Sequence, residues 1–201
     1  MNINPGIDLA LQIWGGVFYL VAKIFLAAAE RENGAGKLRL AGWFTYLLGI
    51  PAWVILFVSK NNWIFAAVDF SSIPTMILGI VIIYKQDGKV PHVFDVIVKY
   101  FTICIIVMGA SYSIYFFKGI RTFTQVLEIT GTVGFLWGTY LLAKRNPAGW
   151  ILFAFMCMST STLMFLNGKI LLTIEQILCL AVIIYGFITA KRKLKKISAA
   201  S

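Results

Sequence analysis

Charge is scarce in this chain, and acidic charge is scarcest. Only 13% of the 201 residues are charged, with 8 Asp and Glu against 18 Lys and Arg. A soluble domain is about a quarter charged, so this sequence lacks the means to cover a water-facing surface. Histidine occurs once, as His92 in a polar stretch. The three cysteines, Cys104, Cys157 and Cys179, show no metal-ligand spacing and all fall inside apolar runs, where cysteine is an ordinary small buried residue. There is no phosphate-binding glycine loop, no paired-cysteine site and no GxSxG motif. The sequence therefore reads as non-enzymatic, with no catalytic residues, no cofactor and no metal. A net charge of +10 would suggest nucleic acid in a soluble protein. Here it reads as a topology signal, with no nucleic-acid partner.

What the chain has instead is long apolar runs, and 60% of it is hydrophobic. A helix needs about 20 apolar residues to cross the hydrocarbon layer, and lipid requires the backbone to satisfy itself. The ~10-residue alternating segments of a transmembrane barrel are missing. The expectation is an all-α integral membrane protein with seven spans in the lipid bilayer. They run about 8–29, 40–58, 63–84, 93–117, 123–143, 149–166 and 170–190. The breaks between them hold Gly34 and Gly36, the turn 59–62, the loop 85–92 with Gly88 and Pro91, the link 118–122, Lys144 to Pro147, and Asn167 to Lys169. Pro51 and Pro74 fall inside spans and predict kinks. No Lys or Arg precedes the first run, which is too long for a signal peptide core and reads as a retained helix.

Basic residues set the expected orientation. The N-terminal side holds four of them, Lys60, Lys118, Arg121 and Lys169. The opposite side holds twelve, including Arg31, Arg39, Lys144, Arg145 and five in the tail KRKLKK. That bias places the N-terminus outside and the C-terminus in the cytoplasm.

The chain also resembles itself. LQIWGGVFYL (Leu11 to Leu20) lies over LEITGTVGFL (Leu127 to Leu136) at an offset of 116, with Leu11, Ile13, Gly15, Val17 and Leu20 matched. Ala41-Gly42-Trp43 lies over Ala148-Gly149-Trp150 at an offset of 107. The longer first loop absorbs the difference. The implied plan is two parallel three-helix bundles, 8–84 and 123–190, joined by a linker helix at 93–117 and followed by a basic cytoplasmic tail, 191–201. Repeats of that kind place a binding site at their interface near mid-membrane.

This 3+1+3 plan resembles the SWEET and PnuC transporter superfamily. The second half is most similar to the PnuC group of vitamin-precursor transporters, whose members carry nicotinamide riboside or related nucleosides. The resemblance rests on Glu128, Gly131, Gly134, Tyr140 to Asn146, Trp150, Leu171 to Gln176 and Tyr185-Gly186, about a third of the chain. In the sixth span the chain reads MCMSTST (Met156 to Thr162) where that group has tryptophans and asparagine. The resemblance implies a facilitator for a nucleoside-like solute in a plasma membrane, bacterial inner membrane by analogy.

Ionisable residues inside spans are costly and usually have a role. Lys23, Asp69, Lys99, Glu128 and Glu175 are such residues. Gln12, Gly16, Tyr19 and Lys23 share one helix face, as do Glu128, Thr132, Phe135 and Thr139. In the repeat, Gln12 corresponds to Glu128 and Asp69 to Gln176. The expected solute-lining set is Gln12, Tyr19, Lys23, Asp69, Glu128, Thr132, Glu175 and Gln176, with Trp14, Tyr19, Phe70, Phe135 and Trp137 as candidate stacking rings. Structural alternatives stand beside it. Lys23 could pair with Glu175 or Asp69, or snorkel to an edge. Ser159 to Thr162 could line a pore or hold helices together. Three other functions stay open as well: a sugar transporter, a non-transporting sensor or receptor, and an assembly subunit. Self-association into a homo-oligomer is also left open.

Overall fold

In the computed structural model the described residues are 4–31, 36–59, 63–85, 92–116, 118–166 and 168–198. The expected breaker Gly34, the turn at 60–62, the loop at 86–91 and Asn167 lie outside them. Eight helices follow in order: α1 (Pro5–Arg31), α2 (Gly36–Ser59), α3 (Trp63–Ser71), α4 (Ile73–Tyr84), α5 (His92–Phe116), α6 (Phe123–Ala143), α7 (Ala148–Leu166) and α8 (Ile170–Ser198). With α3 and α4 taken as one span, seven segments are long and apolar enough to cross a membrane. The chain is therefore all-helical and reads as a multi-pass membrane protein.

The expected kink at Pro74 divides the third span at Ser72, whose backbone stays in the helical region at φ −77° and ψ −18°. Pro74 has no N–H to donate, and the chain turns at Ser72, whose N and Oγ both donate to the Asp69 carbonyl at 3.1 and 2.6 Å. Pro51, by contrast, sits inside an unbroken α2. The seventh span, α8, also runs past the expected end at 190, through the basic tail to Ser198. Lys and Arg are good helix formers, and their charge is favourable at a helix C-terminus.

Local polar residues fix the other ends. Thr122 caps α6 by accepting from the Gln125 N–H at 3.2 Å. Gln125 reaches back to accept from Arg121 N at 3.1 Å and to donate to the Gly119 carbonyl at 3.2 Å. Gly119, at φ 116°, takes a conformation that side chains resist. Asn146 Oδ1 accepts from Ala148 N at 2.9 Å at the start of α7.

The helices form a closed ring in which α1 packs on α2, α2 on α3 and α4, these on α6, α6 on α7, α7 on α8, and α8 back on α1. Outside the ring, α5 lies against α6, α4 and α3. Asp95 of α5 holds it to α6, accepting from Tyr140 Oη at 3.1 Å and pairing with Lys144 at 2.7 Å.

Small residues let the ring close, as membrane packing favours. The close approaches recur in pairs. A Cβ on Gly42 would meet Leu26 Cγ at 2.9 Å and the Ala22 carbonyl at 3.2 Å. A Cβ on Gly149 would meet Leu142 Cγ and the Gly138 carbonyl, each at 2.8 Å. Trp43 covers Gly79 (2.6 Å to such a Cβ) and Trp150 covers Gly186 (3.0 Å). Gly15 faces Trp53 and Gly131 faces Thr160.

Candidate functional site

A cavity of about 60 Å³ lies inside the ring. One water needs roughly 10–15 Å³ by this measure, so the space holds several waters or a small polar group. Its polar wall comes from Tyr19 and Lys23 of α1, Asp69 of α3, Thr132 of α6, Thr160 of α7 and Gln176 of α8. Its aromatic wall is Tyr19, Trp53, Phe57, Phe65 and Phe135. Tyr19 stacks on Phe135 with centroids 6.4 Å apart, and Trp53 stacks on Phe57 at 5.5 Å.

Four polar atoms on this wall are buried without a hydrogen-bond partner: Tyr19 Oη, Trp53 Nε1, Asp69 Oδ2 and Gln176 Oε1. Each such group costs about 1–3 kcal/mol when left unpaired. A wall that keeps four of them is built to meet something polar.

Lys23 is fully buried, which excludes snorkelling. Its Nζ lies 3.9 Å from Cys157 Sγ of α7 and 6.0 Å from the centre of the Tyr19 ring. Asp69 and Glu175 both act on this ammonium through space. Glu175 is engaged at both oxygens: Oε1 accepts from Cys179 Sγ at 3.1 Å and Oε2 from Gln176 Nε2 at 2.6 Å. Its Cγ comes 3.3 Å from where a Cβ on Gly16 would sit, so α1 and α8 meet here at a glycine. One ammonium and two carboxyl groups thus share the ring's interior, where an uncompensated charge costs several kcal/mol.

The cavity reaches from Lys23 and Met156, deep in the ring, toward Phe57, Phe65 and Met164 near one set of helix ends. Those ends are the last turn of α2, the first of α3 and the last of α7. On the other side the ring is filled. Tyr46 contacts Tyr19, Phe135 and Phe153 with centroids 4.4, 6.1 and 6.4 Å apart. Beyond these, Arg39 of α2 pairs with Glu30 of α1 at 2.8 Å, and Trp150 of α7 donates to Glu30 at 3.4 Å.

Of the eight residues expected from sequence, Tyr19, Lys23, Asp69, Thr132 and Gln176 line the cavity, and Glu175 stands behind it. Gln12 and Glu128 lie elsewhere. Gln12 donates to Asp8 at 2.6 Å, and Asp8 in turn pairs with Lys169 at 3.8 Å near the N-terminal side. Glu128 is half-buried and faces α5, in a small hollow of about 20 Å³ with Gly109 and Ser113. Among the expected rings, Trp14 and Phe70 point outward at 42% and 64% exposure, and Trp137 packs on Tyr140. Trp53, Phe57 and Phe65 take their place. An aromatic residue in a uniformly apolar run gives no sign of which way it faces. For Trp53, the glycines of α1 were the usable hint.

Compared with family models, with curated proteins and with solved structures, the chain matches none.

Proposed function

We propose that this chain is a transporter, a facilitator that moves a small polar solute by alternating access between two three-helix bundles. The carrying observation is the cavity. It is walled by helices from both halves of the chain, and four of its polar atoms make no hydrogen bond beside a set of aromatic rings. A carboxylate and an amide can bind the hydroxyls of a ribose, and rings can stack on a planar base. A nucleoside-like vitamin precursor matches that chemistry and the PnuC-like sequence features, and the bundles must part to admit it, since the cavity of about 60 Å³ holds only several waters.

The recurring contacts support the 3+1+3 plan. Leu26 and Leu142, Ala22 and Gly138, and Gly15 and Gly131 are each 116 residues apart. Gly42 and Gly149, Trp43 and Trp150, Trp53 and Thr160, and Gly79 and Gly186 are each 107 apart. The same two offsets align the sequence, so α1 to α4 and α6 to α8 read as parallel repeats with α5 as linker. Asp69 and Gln176, also 107 apart, then face one cavity from equivalent positions. On this reading the basic bias puts the cavity end at Phe57, Phe65 and Met164 outside, with the Tyr46 layer and the Glu30–Arg39–Trp150 cluster as the closed cytoplasmic gate.

Thermal unfolding of the solubilised protein with nucleosides, vitamin precursors and sugars tests the reading, because a ligand of the folded state raises its melting temperature. The expected result is a shift with a nucleoside-like compound that Asp69→Ala or Gln176→Ala removes. A shift with sugars alone would make it a sugar carrier. Binding without vesicle uptake would make it a sensor or receptor.

A further inference from the structure

We propose that Asp69 is the proton-carrying site of this cavity, and that solute movement is coupled to the proton it takes up and releases. The inference rests on the transport reading above and replaces its uncoupled facilitator by a proton-coupled carrier with the same cavity. It starts from a charge count. Lys23 supplies one positive charge to the ring's interior, while Asp69 and Glu175 supply two carboxyl groups. With all three ionised the cluster carries one net negative charge inside the membrane, where an unmatched charge is costly. One proton makes it neutral.

Geometry selects the carboxyl that takes the proton. Both oxygens of Glu175 already accept hydrogen bonds, from Cys179 and Gln176, so neither is open to a proton arriving through the cavity. Asp69 lines the cavity, and its buried Oδ2 accepts no well-formed hydrogen bond, with the Tyr19 hydroxyl as its polar neighbour. A proton arriving by water can reach that oxygen. The groups that act on Asp69 are Lys23 and Tyr19 on α1 and Tyr46 on α2, while Cys157 on α7 and Glu175 and Cys179 on α8 act on Lys23; helices α4 and α5 bring no described residue to the cavity wall. Helix α6 brings only Gly131, Thr132 and Phe135 to the cavity, none of which titrates.

Asp69 also sits where the backbone can respond. Its carbonyl is the one that holds Ser72 at the break between α3 and α4. The step is simple to balance. A hydronium ion on the open side gives its proton to Asp69 Oδ2, the carboxylate becomes a neutral carboxylic acid, and the cluster moves from a net charge of −1 to zero. After the bundles rock, the acid returns the proton to water on the other side. A neutral interior is the form that rocks at least electrostatic cost.

The test needs no knowledge of the solute. Protein in phosphatidylcholine vesicles is titrated from acid to alkaline pH while infrared difference spectra are recorded. The expected result is a protonated-carboxyl carbonyl band that disappears as pH rises. It should be absent in Asp69→Asn, present with a changed midpoint in Asp69→Glu, and kept in Glu175→Gln. Melting curves of each variant establish that it is folded. No titrating band in the wild type, or a band untouched by Asp69→Asn and Asp69→Glu, overturns the proposal. A second arm loads the same vesicles with a pH dye and offers tritiated nicotinamide riboside and tritiated uridine. Uptake that quickens with an inward proton gradient, and loses that dependence in Asp69→Asn, supports the coupling. Uptake indifferent to the gradient overturns it. An Asp69 band with no uptake of either probe strikes the transport reading and leaves the proton site standing.

Discussion

Lys23 of α1 points its ammonium at Cys157 of α7, 3.9 Å away across the interior of the ring, with no exposed surface of its own. The two residues come from opposite halves of the chain, so the most deeply buried charge is held at the junction between them. Replacing Lys23 by Met removes the one positive charge that the described residues bring to the cavity wall beside Asp69 and Glu175. Taking one partner from a buried charge group costs on the order of 3–5 kcal/mol. Thermal unfolding in detergent is expected to show a large loss for Lys23→Met and partial recovery in Lys23→Met with Glu175→Gln.

The two tryptophan–glycine contacts grade a second expectation. A methyl on Gly79 would lie 2.6 Å from the Trp43 indole, and one on Gly186 would lie 3.0 Å from that of Trp150. Overpacking costs about 1–3 kcal/mol. Both Gly79→Ala and Gly186→Ala should lower the melting temperature, Gly79→Ala by more. Gly109→Ala, with nothing within 4 Å, should leave it equal or higher, since Gly in a helix is disfavoured against Ala by about 1 kcal/mol.

The side of the ring away from the cavity carries the third. Glu30 and Arg39 are 10% and 12% exposed at the side chain and 2.8 Å apart, and Trp150 adds a donor from the other half. Trp150→Phe removes the N–H and also ring atoms that cover Gly186, so it should cost about 1 kcal/mol for the hydrogen bond plus the penalty of the space left behind, while Arg39→Ala, which leaves buried Glu30 without its partner, should cost on the order of 3–5 kcal/mol. If the cluster is a gate, Arg39→Ala should also speed labelling by a membrane-impermeant thiol reagent, applied from the basic side, of a cysteine placed at Tyr46.

Much of this arrangement is legible in the sequence. The apolar runs give every span, and the residues Gln12, Gly16, Tyr19 and Lys23 form a face that is buried along its length. Asp69 and Gln176, matched by the repeat, do meet at one cavity. The sequence is silent where lipid and protein interior are equally apolar. Phe70 and Phe65 look alike in the chain, yet one faces outward and the other lines the cavity. Glu128 has the same apolar surroundings as Asp69, and only the position of α5 outside the ring sends it away from the site. Pro74 marks a disturbance, but the break depends on Ser72 turning back onto Asp69.

That difference between the two acids is itself testable. Asp69→Asn should reduce solute uptake several-fold and leave what remains indifferent to a proton gradient. Glu128→Gln, which faces α5, should leave uptake unchanged. Equal losses would mean that the solute path runs between α5 and α6 rather than through the ring.

The most direct test of the account is to close the cavity without touching its charges. Thr160 lines it opposite Trp53 and stands 107 residues from it, so Thr160→Trp would set a second indole in the same space. The measurement is uptake into vesicles of tritiated nicotinamide riboside, uridine and glucose by the wild type and by Thr160→Trp, each shown to be folded by its melting curve. The account predicts uptake of a nucleoside-like probe by the wild type and none by the variant. Equal uptake by both, or no uptake of any probe by the folded wild type, would contradict it.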